Sequence, residues 1–438
     1  MNEKPVRVLW FANTPGLSAG HLGISLAAGG WISSLQGVVE ALPASRLGFV
    51  FYHERPMDPF EYGPTQYFPV QPLGSSKGKR LANRIRGRAE TDENLPAFLR
   101  AIGQFKPDII HIHGTEFPFG LLLRQVTAVP VVVSIQGNLT AYHEKYMAGL
   151  DLPGIWRGWR TGYPFYQADY RIWRKRMAVE QEIMGRAKFI FGRTDWDRRV
   201  ALAQAPQAEY FHVDEVIRPG FYRLDWGAER ERQGDRGNKR QAAAGPPPVF
   251  LTTSSPSIYK GFETVIDTAR VLMRSGMAFE WLVAGLMADH PLVRLICRER
   301  KATDLDALHI RLLGTLPEEE LAARLMTCDA YVQVSHIENS PNSVCEAMLA
   351  GVPVIASFAG GTGSLVRDGI EGVLVQDGDP YALAGAMREV AEQPARYAAM
   401  AAEARRVAQR RHDPAAIVRG MMERYLEIIQ KHRAGHEQ

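Results

Sequence analysis

The sequence predicts two doubly wound α/β domains that face each other across a cleft. Three observations lead there. Short, apolar, β-rich runs alternate with helical patterns along the chain. The alternation breaks once, at a charged stretch closed by three prolines, and then restarts. The chain has 438 residues, more than the roughly 100–200 that one domain usually holds.

In the first half the strand candidates are 6–12 (VRVLWFA), 47–52 (LGFVFY), 109–112 (IIHI), 129–135 (VPVVVSI) and 189–192 (FIFG). Continuous apolar runs of this kind fit strands covered on both faces, as in parallel sheets. Helical periods fall between them, for example at 32–42 and 95–105. Residues 229–248 (ERERQGDRGNKRQAAAGPPP) read as a solvated linker. Strand candidates then resume at 249–254, 279–284, 310–313, 330–334, 352–356 and 373–375, with helices at 262–275, 317–327, 343–350 and 381–391. The expected division is 1–225, a linker at 226–248, a second domain at 249–412, and a last segment at 413–438. That segment puts Ile417, Met421, Tyr425 and Ile428 on one helix face, which would pack back on the first domain. In sheets of this type ligands bind beyond the carboxyl ends of the strands.

Composition narrows the function. Hydrophobic residues are 46% of the chain, enough for packed cores. The net charge is only +4, which excludes a nucleic-acid binder driven by bulk charge. Cys297, Cys328 and Cys345 lack CxxC spacing, so neither a zinc site nor a redox pair is expected, and buried inert thiols are the ordinary reading. No run approaches the ~20 apolar residues of a membrane span, and the first residues do not read as a signal peptide. A cytoplasmic protein, peripheral at most on the inner membrane face, is the expectation. No G-x-G-x-x-G follows a strand, which disfavours a hydride-transferring dehydrogenase.

The sharpest motif is 335–357, SHIENSPNSVCEAMLAGVPVIAS. It reads as a strand end, a polar loop, and a helix starting at Ser340 or Pro341, with serine as N-cap. A helix N-terminus after a strand presents free N–H groups to an anion. Glu338 would lie on the loop and Glu346 on the helix, where carboxylates can accept hydrogen bonds from sugar hydroxyls. A second motif, 254–262 (SSPSIYKGF), follows the first strand of the second half, and Lys260 there can neutralise a diphosphate. A third, 18–36, carries Gly29-Gly30 at a helix start, where backbone can approach a ligand closely. A fourth pairs 111–116 (HIHGTE) with 134–138 (SIQGN), both strand ends.

Two glutamates at this spacing, followed by a small-residue helix and GVPVIA, resemble the family-4 retaining glycosyltransferases of the GT-B fold, which is built of two Rossmann-like domains. The resemblance is best over 249–391 and looser over the first 225 residues. It implies that Glu338, Asn339, Ser340, Asn342 and Ser343 meet the donor sugar and diphosphate, that Glu346 meets the nucleotide ribose, and that Lys260 stabilises the leaving diphosphate. Gly29 and Gly30 would approach that diphosphate, and Leu316 lies in the loop that holds the nucleobase. His113, Gln136 and Asn138 would face the acceptor. Three departures stand out. Ser255 occupies the place of a usual arginine, Gln136 that of a histidine near the reacting centre, and Ser364 that of a glutamate. Glutamine cannot take a proton, which a retaining reaction tolerates if the leaving phosphate accepts it.

Two further stretches suggest a membrane face. Residues 75–88 (SSKGKRLANRIRGR) are basic, and 156–176 (WRGWRTGYPFYQADYRIWRKR) mix aromatics with arginines. The expected function is therefore metal-independent, retaining transfer of a hexosyl group from a nucleotide sugar, with UDP favoured over GDP. The acceptor would be a lipid-linked saccharide in bacterial surface polysaccharide synthesis. No cofactor is expected. The alternatives are a same-fold sugar-nucleotide epimerase or phosphorylase, transfer to a soluble sugar phosphate, and an inactive carbohydrate-binding scaffold.

Overall fold

The structure is a computed structural model that describes residues 4–24, 30–42, 45–72, 77–150, 166–232 and 246–436. Its described residues form two compact units. Those of 1–143, 165–216 and 412–438 make the first, and those of 144–164 and 217–411 make the second. Among the sequence expectations, Gly29, residues 75–76 and 156–165 of the basic stretches, and 233–245 of the linker lie outside the described residues.

The first unit contains the strands β1 (Val6–Ala12), β2 (Ser45–Tyr52), β3 (Phe60–Tyr62), β4 (Thr65–Val70), β5 (Ile109–His113), β6 (Val131–Ser134), β7 (Phe189–Gly192) and β8 (Glu209–His212). They form one sheet in the order β3-β4-β2-β1-β5-β6-β7-β8, parallel throughout except for the β3–β4 pair. Its helices are α1 (Gly30–Glu40), α2 (Lys77–Ile85), α3 (Leu95–Phe105), α4 (Leu139–His143), α5 (Tyr166–Arg186) and α6 (Asp195–Gln204). The continuous apolar strands have the expected cause. Successive side chains of β1 enter opposite cores, Val8, Trp10 and Ala12 on one face and Leu9 and Phe11 on the other.

The second unit holds β9 (Val249–Thr253), β10 (Glu280–Ala284), β11 (Ile310–Gly314), β12 (Ala330–Gln333), β13 (Val354–Ser357) and β14 (Val373–Val375). All pair in parallel, in the order β11-β10-β9-β12-β13-β14. Its helices are α7 (Trp226–Arg232), α8 (Phe262–Arg274), α9 (Pro291–Glu299), α10 (Glu318–Thr327), α11 (Asn342–Ala350), α12 (Pro380–Glu392) and α13 (Pro394–Arg411). The strand order reverses direction at β9, between β10 and β12, so the crevice beyond β9 and β12 is the natural ligand position of this sheet.

Three features depart from the sequence reading. Residues 226–232, expected in the linker, form α7, because Trp226 is buried in the second core and its indole N–H donates to the Cys328 carbonyl at 2.9 Å. The longer segment of the second unit therefore starts at Ile217. Next, Ser340 does not cap the helix after Glu338. α11 begins at Asn342, with Pro341 in the N-cap position and no side-chain cap. Last, β3, β4, β8 and α13 were not anticipated.

The last helix, α14 (Pro414–His436), belongs to the first unit. Ile417, Val418, Met421, Met422, Tyr425, Ile428 and Ile429 fill the core on the β1 Trp10 face, against Ile32, Leu35 and Val39 of α1. The buried Tyr425 hydroxyl accepts from Trp10 Nε1 at 3.2 Å and pairs with His111 Nδ1 at 2.5 Å.

Candidate functional site

In the second unit the loop after β9 turns at Gly261, whose φ is 75°. A Cβ there would collide with the Val334 carbonyl, so only glycine lets the loop lie against the end of β12. That approach brings Lys260 to Glu338, Nζ to Oε1 2.5 Å. The same oxygen accepts from the Ser335 hydroxyl at 2.7 Å. Burial pulls the Lys260 ammonium down, but Glu338 beside it outweighs burial and the net shift is upward, so Lys260 is a cation at neutral pH. The Glu338 backbone is fixed from the other side. Its carbonyl accepts from Gly361 N at 2.8 Å, and Gly360, with φ 55°, leaves no room for a Cβ against that carbonyl.

Glu346 sits on α11 and is 4% exposed. Its Oε1 accepts from Arg218 Nε at 2.7 Å. Arg218 also stacks over the Phe221 ring at 4.7 Å and reaches within 3.9 Å of Glu318, the first residue of α10. Burial lowers the guanidinium and Glu346 raises it, for a net rise. Tyr331 of β12 is fully buried beneath the site. Its hydroxyl bonds Thr253 Oγ1 at 2.7 Å, and burial, with Glu346 adding, pushes its pKa up to about 12.

The remaining expected donor residues fall around this frame. Asn339 is 2% exposed, while Ser340, Asn342 and Ser343 are half-buried at the start of α11, where Asn342 Oδ1 is buried without a hydrogen-bond partner. Leu316 is half-buried just before α10. Ser255 is exposed, so the missing arginine is not replaced at its own position. The guanidinium that the site does contain is Arg218. His336 was also missed. Its Nε2 meets Glu263 Oε1 at 2.5 Å and its Nδ1 meets Asp377 Oδ2 at 3.3 Å. Burial lowers its pKa, but the two carboxylates more than offset this, leaving a net rise.

In the first unit the ends of β5, β6, β7 and β8 surround a small cavity. His113, Gln136, Arg193, Glu215 and Trp31 line it. His113 is 7% exposed and its Nε2 has no hydrogen-bond partner. Burial, then the neighbouring His111, holds its pKa well below the usual histidine range. A neutral imidazole so shifted is a poor base, which argues against His113 replacing the histidine absent at Gln136. Burial takes His111 down to about 3. Asn138 requires a correction. It is fully buried, its amide N donates to Gln204 at 3.0 Å and its oxygen accepts from Ala141 N at 2.8 Å. It immediately precedes α4, and its full burial leaves no accessible surface for an acceptor. Gly30 is the first residue of α1.

Glu116 is a further group that the sequence reading passed over. Burial, with Glu180 adding, raises its carboxyl to about 7, although its own backbone amide and Arg193 oppose the shift. Gly114 and Gly137 make room for it, since a Cβ on either would strike its carboxyl oxygens.

These two sheets and the site at the β9–β12 reversal define the structural class of the GT-B glycosyltransferases. Residues 235–407 match the family of glycosyl transferases group 1. The amylovoran biosynthesis glycosyltransferase AmsK of Erwinia amylovora is 25% identical over 160 residues, 35% of this chain and 38% of that protein. A D-inositol 3-phosphate glycosyltransferase of Catenulispora acidiphila is 25% identical over 380 residues, 76% of this chain and 87% of that protein. The matches to the colanic acid and amylovoran proteins span little more than a third of those proteins' own length. Among solved structures, sucrose-phosphate synthase of Thermosynechococcus elongatus superimposes with a TM-score of 0.70 at 18% identity, over 97% of this chain and all of that one. Anabaena HepE in complex with UDP-glucose gives 0.62 at 17% identity, over 96% of this chain and 99% of the other.

Proposed function

We propose that this protein transfers a hexosyl group from a nucleotide sugar to a saccharide acceptor on a lipid carrier, with retention at the anomeric carbon. The carrying observation is the pair of ion pairs at the β9–β12 reversal, Lys260–Glu338 and Arg218–Glu346. Lys260 would exchange part of its contact with Glu338 for the donor diphosphate and stabilise the charge that grows there as the glycosidic bond breaks. The free amides at the start of α11 would share that charge. Glu338 would hold donor sugar hydroxyls and Glu346 the ribose diol, with Arg218 keeping the Glu346 carboxylate oriented. In the reaction the bond from the anomeric carbon to phosphate oxygen breaks, the acceptor oxygen bonds the same carbon, and the acceptor proton passes to the departing phosphate. That route needs no base at Gln136, which would hold the acceptor by hydrogen bonds instead. The two cations already in the site support a metal-independent reaction. UDP as the nucleotide carrier is supported by HepE, a protein of the same fold solved in complex with UDP-glucose.

The amylovoran relative supports a saccharide acceptor in polysaccharide synthesis, and the lipid carrier is our addition to it. The inositol-phosphate relative, matched over more of its length, supports the second reading, transfer to a soluble sugar phosphate. Radiolabelled nucleotide sugars incubated with the protein and either bacterial lipid extract or sugar phosphates decide between them. Label entering the organic phase supports the first and label in a charged soluble product the second. If no nucleoside diphosphate is released with any donor in either arm, the transfer reading fails.

A further inference from the structure

The first unit packs two cationic segments together, although they lie far apart in the sequence. Residues 77–88, α2 and the turn after it, hold six cations and no acid. Residues 166–176, the first half of α5, hold four cations and one acid. That acid, Asp169, is gripped by both arms of Arg84, at 2.7 and 2.6 Å. Gly87, with φ 57°, lets the turn lie so close that a Cβ there would be 3.2 Å from Arg171 Cβ. Arg86, Arg171, Arg174 and Lys175 are exposed around this junction, while Arg88 pairs with Glu93 at 3.5 Å and Arg80 with Glu54 at 2.6 Å. On α2, Leu81 and Ile85 lie one helical turn apart on the same face, 49% and 58% exposed. Tyr170 and Trp173 of α5 are engaged elsewhere. Tyr170 OH bonds His143 Nε2 at 2.9 Å, and Trp173 Nε1 donates to the Leu139 carbonyl at 3.2 Å.

We propose that this surface docks on an anionic lipid bilayer. Leu81 and Ile85 enter the boundary between headgroups and acyl chains, and the surrounding cations face lipid phosphates. A short helix with two aliphatic side chains among arginines cannot anchor itself by apolar burial alone, but gains from each cation held near an anionic surface. A single-stranded nucleic acid would instead need exposed rings on which bases stack, and Tyr170 and Trp173 are engaged in side-chain and backbone hydrogen bonds. The inference rests on the surface and not on the transfer reaction, so its test uses no sugar donor.

The full chain is sedimented with vesicles of phosphatidylcholine alone and with vesicles containing phosphatidylglycerol. Partition onto the anionic vesicles is expected, with release in about 0.5 M salt. The double variant Leu81→Asp/Ile85→Asp and the double variant Arg171→Glu/Lys175→Glu should each lower that partition at least about tenfold. All four positions are at the surface, so circular dichroism should be unchanged, and a retained melting shift with UDP separates this surface from the donor site. Equal binding to neutral and anionic vesicles overturns the proposal. So does unchanged partition in both variants, or selective capture of a single-stranded RNA oligonucleotide with no vesicle binding.

Discussion

Single side chains carry the sharpest expectations. Lys260→Ala should lower kcat/KM for the donor by about 10²–10³-fold, the usual cost of one preorganised group that stabilises developing charge. Steady-state kinetics with UDP-glucose checks it, and an unchanged value would remove Lys260 from the chemistry. Arg218→Ala should destabilise the fold by about 3 kcal/mol, because the Glu346 carboxylate, 4% exposed, loses the guanidinium that offsets its charge. Replacing both partners with leucine should recover much of that stability in urea titrations while still abolishing donor affinity. Glu116 makes a pH-dependent contribution of the opposite kind to a salt-bridged acid. Its folded carboxyl titrates near 7, above its ordinary range, so the folded state holds this proton more tightly than the unfolded chain. The resulting stability is complete below about 4.5 and is lost as pH climbs from there to about 7. Glu116→Gln, which keeps the neutral form, should match the natural protein at about pH 4, below the unfolded pKa, and exceed it by up to about 3 kcal/mol at pH 8. Equal stability at both values would show that Glu116 titrates normally.

At the scale of elements, the glycines that admit the loops are as important as the groups on them. Gly360→Ala should abolish donor affinity with the helix content intact, because the new Cβ strikes the Glu338 carbonyl and φ is positive. Isothermal titration with UDP beside far-UV circular dichroism measures both, and normal affinity would mean the loop shifts freely. The strands were largely legible because they are continuous apolar runs. Val6–Ala12, Phe189–Gly192 and Val373–Val375 occupy the positions read from the sequence. β3 has only three residues and β8 carries polar ends, so neither stands out locally. α13 is rich in alanine and arginine, with a weak apolar stripe, and its burial comes from tertiary packing of Ala404 and Ala408. In the site, Lys260, Glu338 and Glu346 were visible because motif and strand ends coincide. Arg218 was not, since its partner lies 128 residues away and its own loop carries no pattern.

For the whole molecule, the division into units makes ligand effects separable. A nucleotide bound only to the folded second unit stabilises it by about 2.7 kcal/mol at a hundredfold excess over Kd. UDP should therefore raise the melting transition of that unit, and GDP less if uracil is preferred. Differential scanning calorimetry resolves the two. α14 has a different consequence. It closes a core that β1 begins, with Trp10 and Tyr425 joined by a hydrogen bond between the two ends of the chain. During synthesis the ribosome must therefore add some 400 residues after Trp10 before its partner exists, a wait of about 20–80 s at about 5–20 residues per second. Over that interval the second unit can finish folding while the first keeps an uncovered apolar wall, so nascent chains halted near residue 411 are the form of this protein that chaperones should retain.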